Sequence, residues 1–215
     1  MQSITIRNLW KRFNGNPVLR GLNASFEEGS VVAIVGPNGS GKTTLIRIIA
    51  GLTPPSEGFI SVFGLKPGSS KARRFTSVVL DRPLLYEELT VEENLELFKT
   101  LSRSRGGRFY ERALETLDVV KVWRRRVGEL SHGWRRRVDF VRALITEPRL
   151  LLLDEITTAF DSESLREVES IVFDLARGGS TVIATAPGWG GVKLLSNSAR
   201  YKCRLEDGVL ECEIM

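Results

Sequence analysis

Residues 31–45 read VVAIVGPNGSGKTTL. The apolar run Val31–Val35 has the character of a buried strand. Gly36-Pro37-Asn38-Gly39-Ser40-Gly41-Lys42-Thr43 follows without a spacer, and Thr44 leads on into a helix over Lys42–Ala50 that Gly51 stops. This is G-x-x-x-x-G-K-[ST] in the strand–loop–helix setting that the pattern requires. Glycines let backbone N–H groups converge on phosphate oxygens, and the helix N-terminus adds a favourable dipole. Lys42 is expected to neutralise the outer phosphates of a nucleotide, and the Thr43 hydroxyl to ligate Mg²⁺.

A second segment, LLLLDE at 150–155, fits the same chemistry. Four leucines predict a strand buried on both faces. Asp154 then emerges at its C-terminal end, where open α/β sheets bind ligands. An acid there can hold Mg²⁺ through water, and Glu155 is placed to polarise an attacking water.

Around these motifs the chain alternates. Strands are expected at Ser3–Leu9, Leu19–Phe26 and Phe59–Phe63, with Asn14-Gly15 as a turn. The middle is helical: Thr90 and Glu93 form a capping box before a helix, and Arg108–Leu117 and His132–Thr146 continue the pattern. Strand Leu150–Asp154, helix Glu163–Arg177, strand Thr181–Thr185 and a terminal hairpin close the chain. Strands and helices alternating around a helical block imply an α/β sheet with an inserted helical subdomain. The expected division is a single domain over 1–215, with a core of 1–83 and 147–215 and a helical part of about 84–146.

With 215 residues, 42% hydrophobic and 27% charged, the chain suits one compact domain. No apolar run approaches the roughly 20 residues needed to span a bilayer. A cytoplasmic location is expected, and any tie to a membrane must come through a partner. The net charge of +5 reflects clustered arginines at 124–126 and 135–137, which read mostly as solvated surface. Near the end, Asp207-Gly208 is a two-residue hairpin signal that sets Arg204 opposite Glu211 and Cys203 opposite Cys212. The cysteines fall at a non-hydrogen-bonded pair, close enough for a disulfide; a mesophilic cytosol would keep them as thiols.

Taken in order, the motifs resemble the ATP-binding-cassette (ABC) ATPases over nearly the whole chain. NLWKRF at 8–13 is similar to the segment whose aromatic stacks on adenine, which nominates Phe13. GPNGSGKTT, at 36–44, is similar to the family's phosphate loop. LSHGWRRRV, at 130–138, stands in the place of its signature, and LLLLDEITTAFD stands for the second nucleotide motif and the D-loop, with Asp161 as its acid. The resemblance implies a P-loop NTPase core with an N-terminal antiparallel β subdomain. It also implies a head-to-tail dimer, homomeric or heteromeric, in which Ser131 and Gly133 face the partner's nucleotide. ATP and Mg²⁺ are the implied cofactors.

The chain departs from the pattern at several points. Asp81 stands where the family carries a glutamine, and a carboxylate there can still ligate Mg²⁺. Ala186 occupies the place of the switch histidine; losing such an electrostatic contact costs about 10²–10³ in rate. His132 and Trp134 replace a glycine and a glutamine in the signature. His132 reads as a surface residue at a helix start in preference to the alternative, a phosphate contact across the dimer that partly replaces the missing histidine, and Trp134 reads as a packing residue.

The leading expectation is an exporter-like ATP-binding subunit that hydrolyses ATP slowly and drives a separate membrane subunit. ISVFGLKP at 60–67 resembles exporter-type subunits more than nutrient importers. One alternative is a largely non-hydrolytic partner of a complete subunit. Another is a soluble ATPase acting on nucleic acid or the ribosome, supported only by the basic charge.

Overall fold

The computed structural model describes residues 1–155, 160–192 and 199–215. Two β-sheets organise them. The first is antiparallel, with strand order β2-β1-β4. Here β1 spans Gln2–Phe13, β2 spans Asn16–Glu27 and β4 spans Glu57–Val62. The tight turn at Asn14-Gly15 pairs Phe13 with Asn16, and Ile4 lies between Phe26 and Val62. Both strands of the hairpin run longer than their apolar alternation indicates, because the ladder continues through several register shifts.

The second sheet has the order β5-β6-β7-β3-β8-β9. Its members are β3 (Val31–Val35), β5 (Thr76–Val79), β6 (Leu150–Leu153), β7 (Thr181–Ala186), β8 (Tyr201–Glu206) and β9 (Val209–Ile214). All neighbours are parallel except β9, which runs antiparallel to β8. Every residue of β3, β6 and β7 is buried, as expected for central strands covered on both faces.

Successive side chains of these strands point to opposite sides and so belong to two different cores. Ala33, Val35, Leu151, Leu153, Val182 and Ala184 pack with the helices α3 (Val91–Ser102), α4 (Arg108–Thr116), α5 (His132–Ala143) and α6 (Ser162–Arg177). Val32, Ile34, Leu150, Leu152 and Ile183 pack instead with α1 (Lys42–Ile49) and the first sheet. The short helix α2 (Ser70–Arg73) precedes β5.

Between β5 and β6 the chain runs through α3, α4 and α5. The box at the start of α3 forms in both directions: Thr90 N–H donates to Glu93 at 2.8 Å, and Glu93 N–H donates to Thr90 Oγ1 at 3.2 Å. Helix α5 ends at Ala143, earlier than its apolar period indicates. Leu144 and Ile145 close tighter i→i+3 turns onto Val141 and Arg142. Among the described residues, no helix is long and apolar enough to cross a membrane.

The terminal hairpin has the expected register, with Arg204 opposite Glu211 and Cys203 opposite Cys212. Asp207 and Gly208 both take positive φ, 49° and 77°, as the turn requires. The two cysteines are joined in a disulfide with Cα atoms 4.0 Å apart, so here they are not free thiols.

Candidate functional site

The phosphate loop connects the C-terminal end of β3 to the N-terminus of α1 at the middle of the parallel sheet. Gly41, the N-cap of α1, has φ 105°, and a Cβ there would lie 2.8 Å from Leu19 Cδ2. That contact packs β2 against the loop. At Gly36 a Cβ would stand 2.0 Å from the Leu205 carbonyl, so the loop also leaves β3 against β8. Pro37, Asn38 and Gly39 are exposed, Ser40 and Lys42 are buried, and Thr43 and Thr44 are half-buried.

Lys42 Nζ donates to the carbonyls of Gly36 (2.8 Å) and Pro37 (3.0 Å). It also lies 3.8 Å from Glu155 Oε1. One ammonium therefore spans the mouth of the loop and faces the predicted hydrolytic acid. Asp154 follows β6 and is fully buried. Its Oδ1 accepts a hydrogen bond from Thr185 Oγ1 at 2.7 Å, and the Thr185 hydroxyl in turn accepts from the Glu155 N–H at 3.0 Å. Asp154 Oδ2 and Ser40 Oγ are buried without a hydrogen-bond partner among the described residues. Buried polar atoms of that kind are costly unless something satisfies them. A hard cation that prefers oxygen ligands is a fitting partner for an orphaned carboxylate oxygen at this place. Among the described residues no three His, Cys, Asp or Glu side chains gather into a metal cluster. Mg²⁺ is typically held by one or two carboxylates together with substrate phosphates, a donor set these residues fit.

Ala186 ends β7 directly beside the loop: it pairs with Val35, and its carbonyl accepts from Gly36 N–H at 3.3 Å. It is fully buried and offers only a methyl group. Phe13 lies at the end of β1, about half exposed (48%), with Lys11 Nζ 4.8 Å from its ring.

Ser131 caps α5 by accepting from Trp134 N–H at 3.4 Å; both it and His132 are exposed, and Gly133 is half-buried. Trp134 is half-buried against the helical core, with the Arg137 guanidinium 4.7 Å from its ring. Asp161 caps α6, accepting from Ser164 N–H at 2.9 Å, and pairs with Arg137. The Ser164 amide, aided by Arg137, holds the Asp161 carboxyl well below the usual carboxylate range. Among the described residues, no hydrogen bond or ion pair joins Ser131, Gly133 or Asp161 to loop 36–43 of the same chain. The structure thus gathers Lys42, Asp154, Glu155 and Ala186 into one place, with α5's start and Asp161 engaged elsewhere.

One arginine of the 135–137 run is not surface at all. Arg136 is fully buried. It donates to the carbonyls of Leu80, Asp154 (3.0 Å) and Glu155 (3.3 Å). Burial pulls its pKa down, while Asp139, Asp81, Asp154 and Glu155 oppose that by favouring the charged form. Asp81 is exposed, yet its own peptide follows the Leu80 carbonyl that Arg136 grips. Two further charged residues lie along the same side of α5. Asp139 accepts from Leu84 N–H at 3.2 Å, and Arg142 donates to Val78 O at 2.6 Å. Sequence reasoning missed both Arg136 and Thr185. The available signals were an Arg-Asp-Arg series at helical spacing and a polar residue ending a buried strand.

A family profile described as ABC transporter matches residues 19–158. The chain is 38% identical over 188 residues to the daunorubicin resistance ATP-binding protein DrrA3 of Streptomyces coeruleorubidus, covering 85% of this chain and 60% of that protein. It is 39% identical over 174 residues to the sulfate/thiosulfate import ATP-binding protein CysA of Bradyrhizobium diazoefficiens, covering 77% of this chain and 51% of the relative. The chain therefore spans between half and two thirds of the length of these two relatives. Among solved structures, it resembles a dimeric form of the ATP-binding cassette MJ0796 bound to ADP and Pi. That likeness has a TM-score of 0.83 and 28% identity, and covers 98% of each chain. Phosphate loop, second acidic motif, sheet order and these matches lead to one conclusion: the chain belongs to the ABC transporter family of ATP-binding cassettes.

Proposed function

We propose that this chain is the ATP-binding subunit of an exporter-like ABC transporter, hydrolysing ATP slowly to drive a separate membrane subunit. Its core is read as 1–83 and 147–215, with about 84–146 as the helical part, and the block near Arg73–Phe98 is read as the surface that meets the membrane subunit. Peripheral attachment at the inner membrane face follows from that role. Relatives bearing export and resistance names, including a Nod factor export ATP-binding protein I from Rhizobium that is 35% identical, support the exporter side of the reading, and the import subunit at 39% identity supports the broader one of a transporter's ATP-binding subunit.

Lys42 is the group for the outer phosphates, Phe13 for the base, and Gly36–Thr44 for the phosphate backbone contacts. Thr43 and Asp154, with Asp81 nearby, are the residues for Mg²⁺, which when bound neutralises phosphate charge. Glu155 is the base that orients water. Ser131 and Gly133 are assigned to the partner's nucleotide across a head-to-tail dimer, in keeping with the absence, among the described residues, of a hydrogen bond or ion pair to their own loop, and Asp161 is the D-loop acid of the nucleotide site.

The observation that carries the slow-hydrolysis reading is the pairing of a retained Glu155, 3.8 Å from Lys42, with a buried methyl at Ala186. The purified chain should turn over ATP in the presence of Mg²⁺ more slowly than about 1 s⁻¹, the low end of ordinary enzymes. Glu155→Gln should cut that rate by about 10²-fold or more. Turnover well above background that is equal in the two proteins would show that Glu155 is not the base. The second reading, a partner that binds ATP and contributes almost no hydrolysis, draws on the same Ala186. It predicts nucleotide binding with turnover indistinguishable from the Gln variant.

A further inference from the structure

Glu155 has a φ of 48°, in the left-handed region that side chains other than glycine avoid. Such a backbone persists only where its surroundings over-determine it. Two side chains hold this peptide from opposite ends. Glu155 N–H donates to Thr185 Oγ1 at 3.0 Å, and its carbonyl accepts from Arg136 Nη2 at 3.3 Å. The same Nη2 reaches the Asp154 carbonyl at 3.0 Å, and Nη1 reaches Leu80 O. Arg136 is fully enclosed, and its Nε has no hydrogen-bond partner among the described residues. A buried guanidinium is expensive to keep, and replacing one with apolar groups is often neutral or stabilising. This one gives its terminal nitrogens to three backbone carbonyls, two of them belonging to the acids of the site.

We infer that Arg136 is a positioning residue for Glu155. It fixes the left-handed peptide of the hydrolytic acid and ties it to the first turns of α5 and to the segment that carries Asp81. The inference rests on the ATP-hydrolysing reading. It adds a route by which α5, whose start is assigned to the partner's nucleotide, is connected to the acid of its own subunit. Displacement of α5 would drag the Glu155 carbonyl with it, because both are held by one rigid planar group.

The test compares Arg136→Met and Arg136→Lys with Arg142→Met. Arg142 anchors the same helix to Val78 O, but touches neither acid's peptide. Amide hydrogen exchange in the nucleotide-free protein should be at least about tenfold faster at Glu155 in Arg136→Met, and unchanged there in Arg142→Met. In steady-state ATPase assays, Arg136→Met should lower kcat by about tenfold or more while KM moves less than about threefold. Arg136→Lys keeps the charge without the planar fork, so it should fall between wild type and the methionine variant in both readouts. It also carries the comparison if Arg136→Met fails to fold. Wild-type exchange at Glu155 in both Arg136 variants would overturn the inference, as would equal acceleration in Arg142→Met. Absence of turnover in the wild-type chain would instead sink the hydrolytic reading, and the exchange comparison would still decide the positioning role.

Discussion

Glu155 follows β6 and Ala186 ends β7, both to one side of the phosphate loop's own strand β3, and on the proposed reading they set the rate expected of the site. The carboxylate is close to Lys42, while the methyl beside Gly36 supplies no side-chain hydrogen bond where, on the proposed reading, a switch histidine would stand. Ala186→His is therefore expected to raise ATP turnover, by up to about 10²-fold if the full electrostatic contact is regained. Because Ala186 is fully enclosed, the rate should be read beside the melting temperature of the variant. An unchanged rate in a well-folded variant would show that the missing histidine does not limit hydrolysis. Most of the site was legible at this scale, since Gly-rich loops and strand-terminal acids have fixed spacing. Thr185 and Arg136 were not. Their importance lies in which backbone atoms they reach, and those atoms belong to segments far away in sequence.

At the level of elements, local chemistry predicts best where it is self-contained. The Thr90/Glu93 box is an example: every partner lies within four consecutive residues. The Thr90 backbone N–H, and next its hydroxyl, hold the Glu93 carboxyl below its ordinary range. The box is thus complete at neutral pH and is lost as pH falls through that lowered value. Thr90→Ala should lower the melting temperature by roughly 2–4 °C, measurable by circular dichroism at pH 7. The terminal hairpin is a second case, with the turn alone fixing which residues oppose one another. Its Cys203–Cys212 bond closes a sequence separation of 9, so reduction should cost about 2–3 kcal/mol by loop-entropy reasoning. Reductant should lower the melting temperature and add two daltons to the intact mass. An unchanged mass would mean that the purified protein carries thiols. By contrast, β5 has no clear signal, being four residues long and only partly buried at three of them.

For the whole molecule, the telling fact is a division of labour. One end of the sheet carries Lys42, Asp154 and Glu155, while among the described residues no hydrogen bond or ion pair joins Ser131, Gly133 or Asp161 to that loop. On the proposed reading, a second copy placed head to tail completes the site. Glu155→Gln supplied with Mg²⁺ and ATP should therefore double its mass in sedimentation velocity, and return to the monomer when nucleotide is removed. A protein that stays monomeric at every nucleotide concentration would exclude the homodimer.

The sequence by itself determined the phosphate loop, the acids at the end of β6, the alternation that makes two layers, and the register of the last hairpin. Each of these follows from short-range patterns: glycine placement, strand and helix period, and turn geometry. The tertiary structure decided what no local pattern encodes. It selected which of three adjacent arginines is buried and joined Leu80, Asp154 and Glu155 around that one guanidinium. It also brought Ala186 against Gly36. The physical reason is burial: a charge can enter a core only where distant backbone carbonyls converge to receive it, and that convergence exists only once the chain has folded.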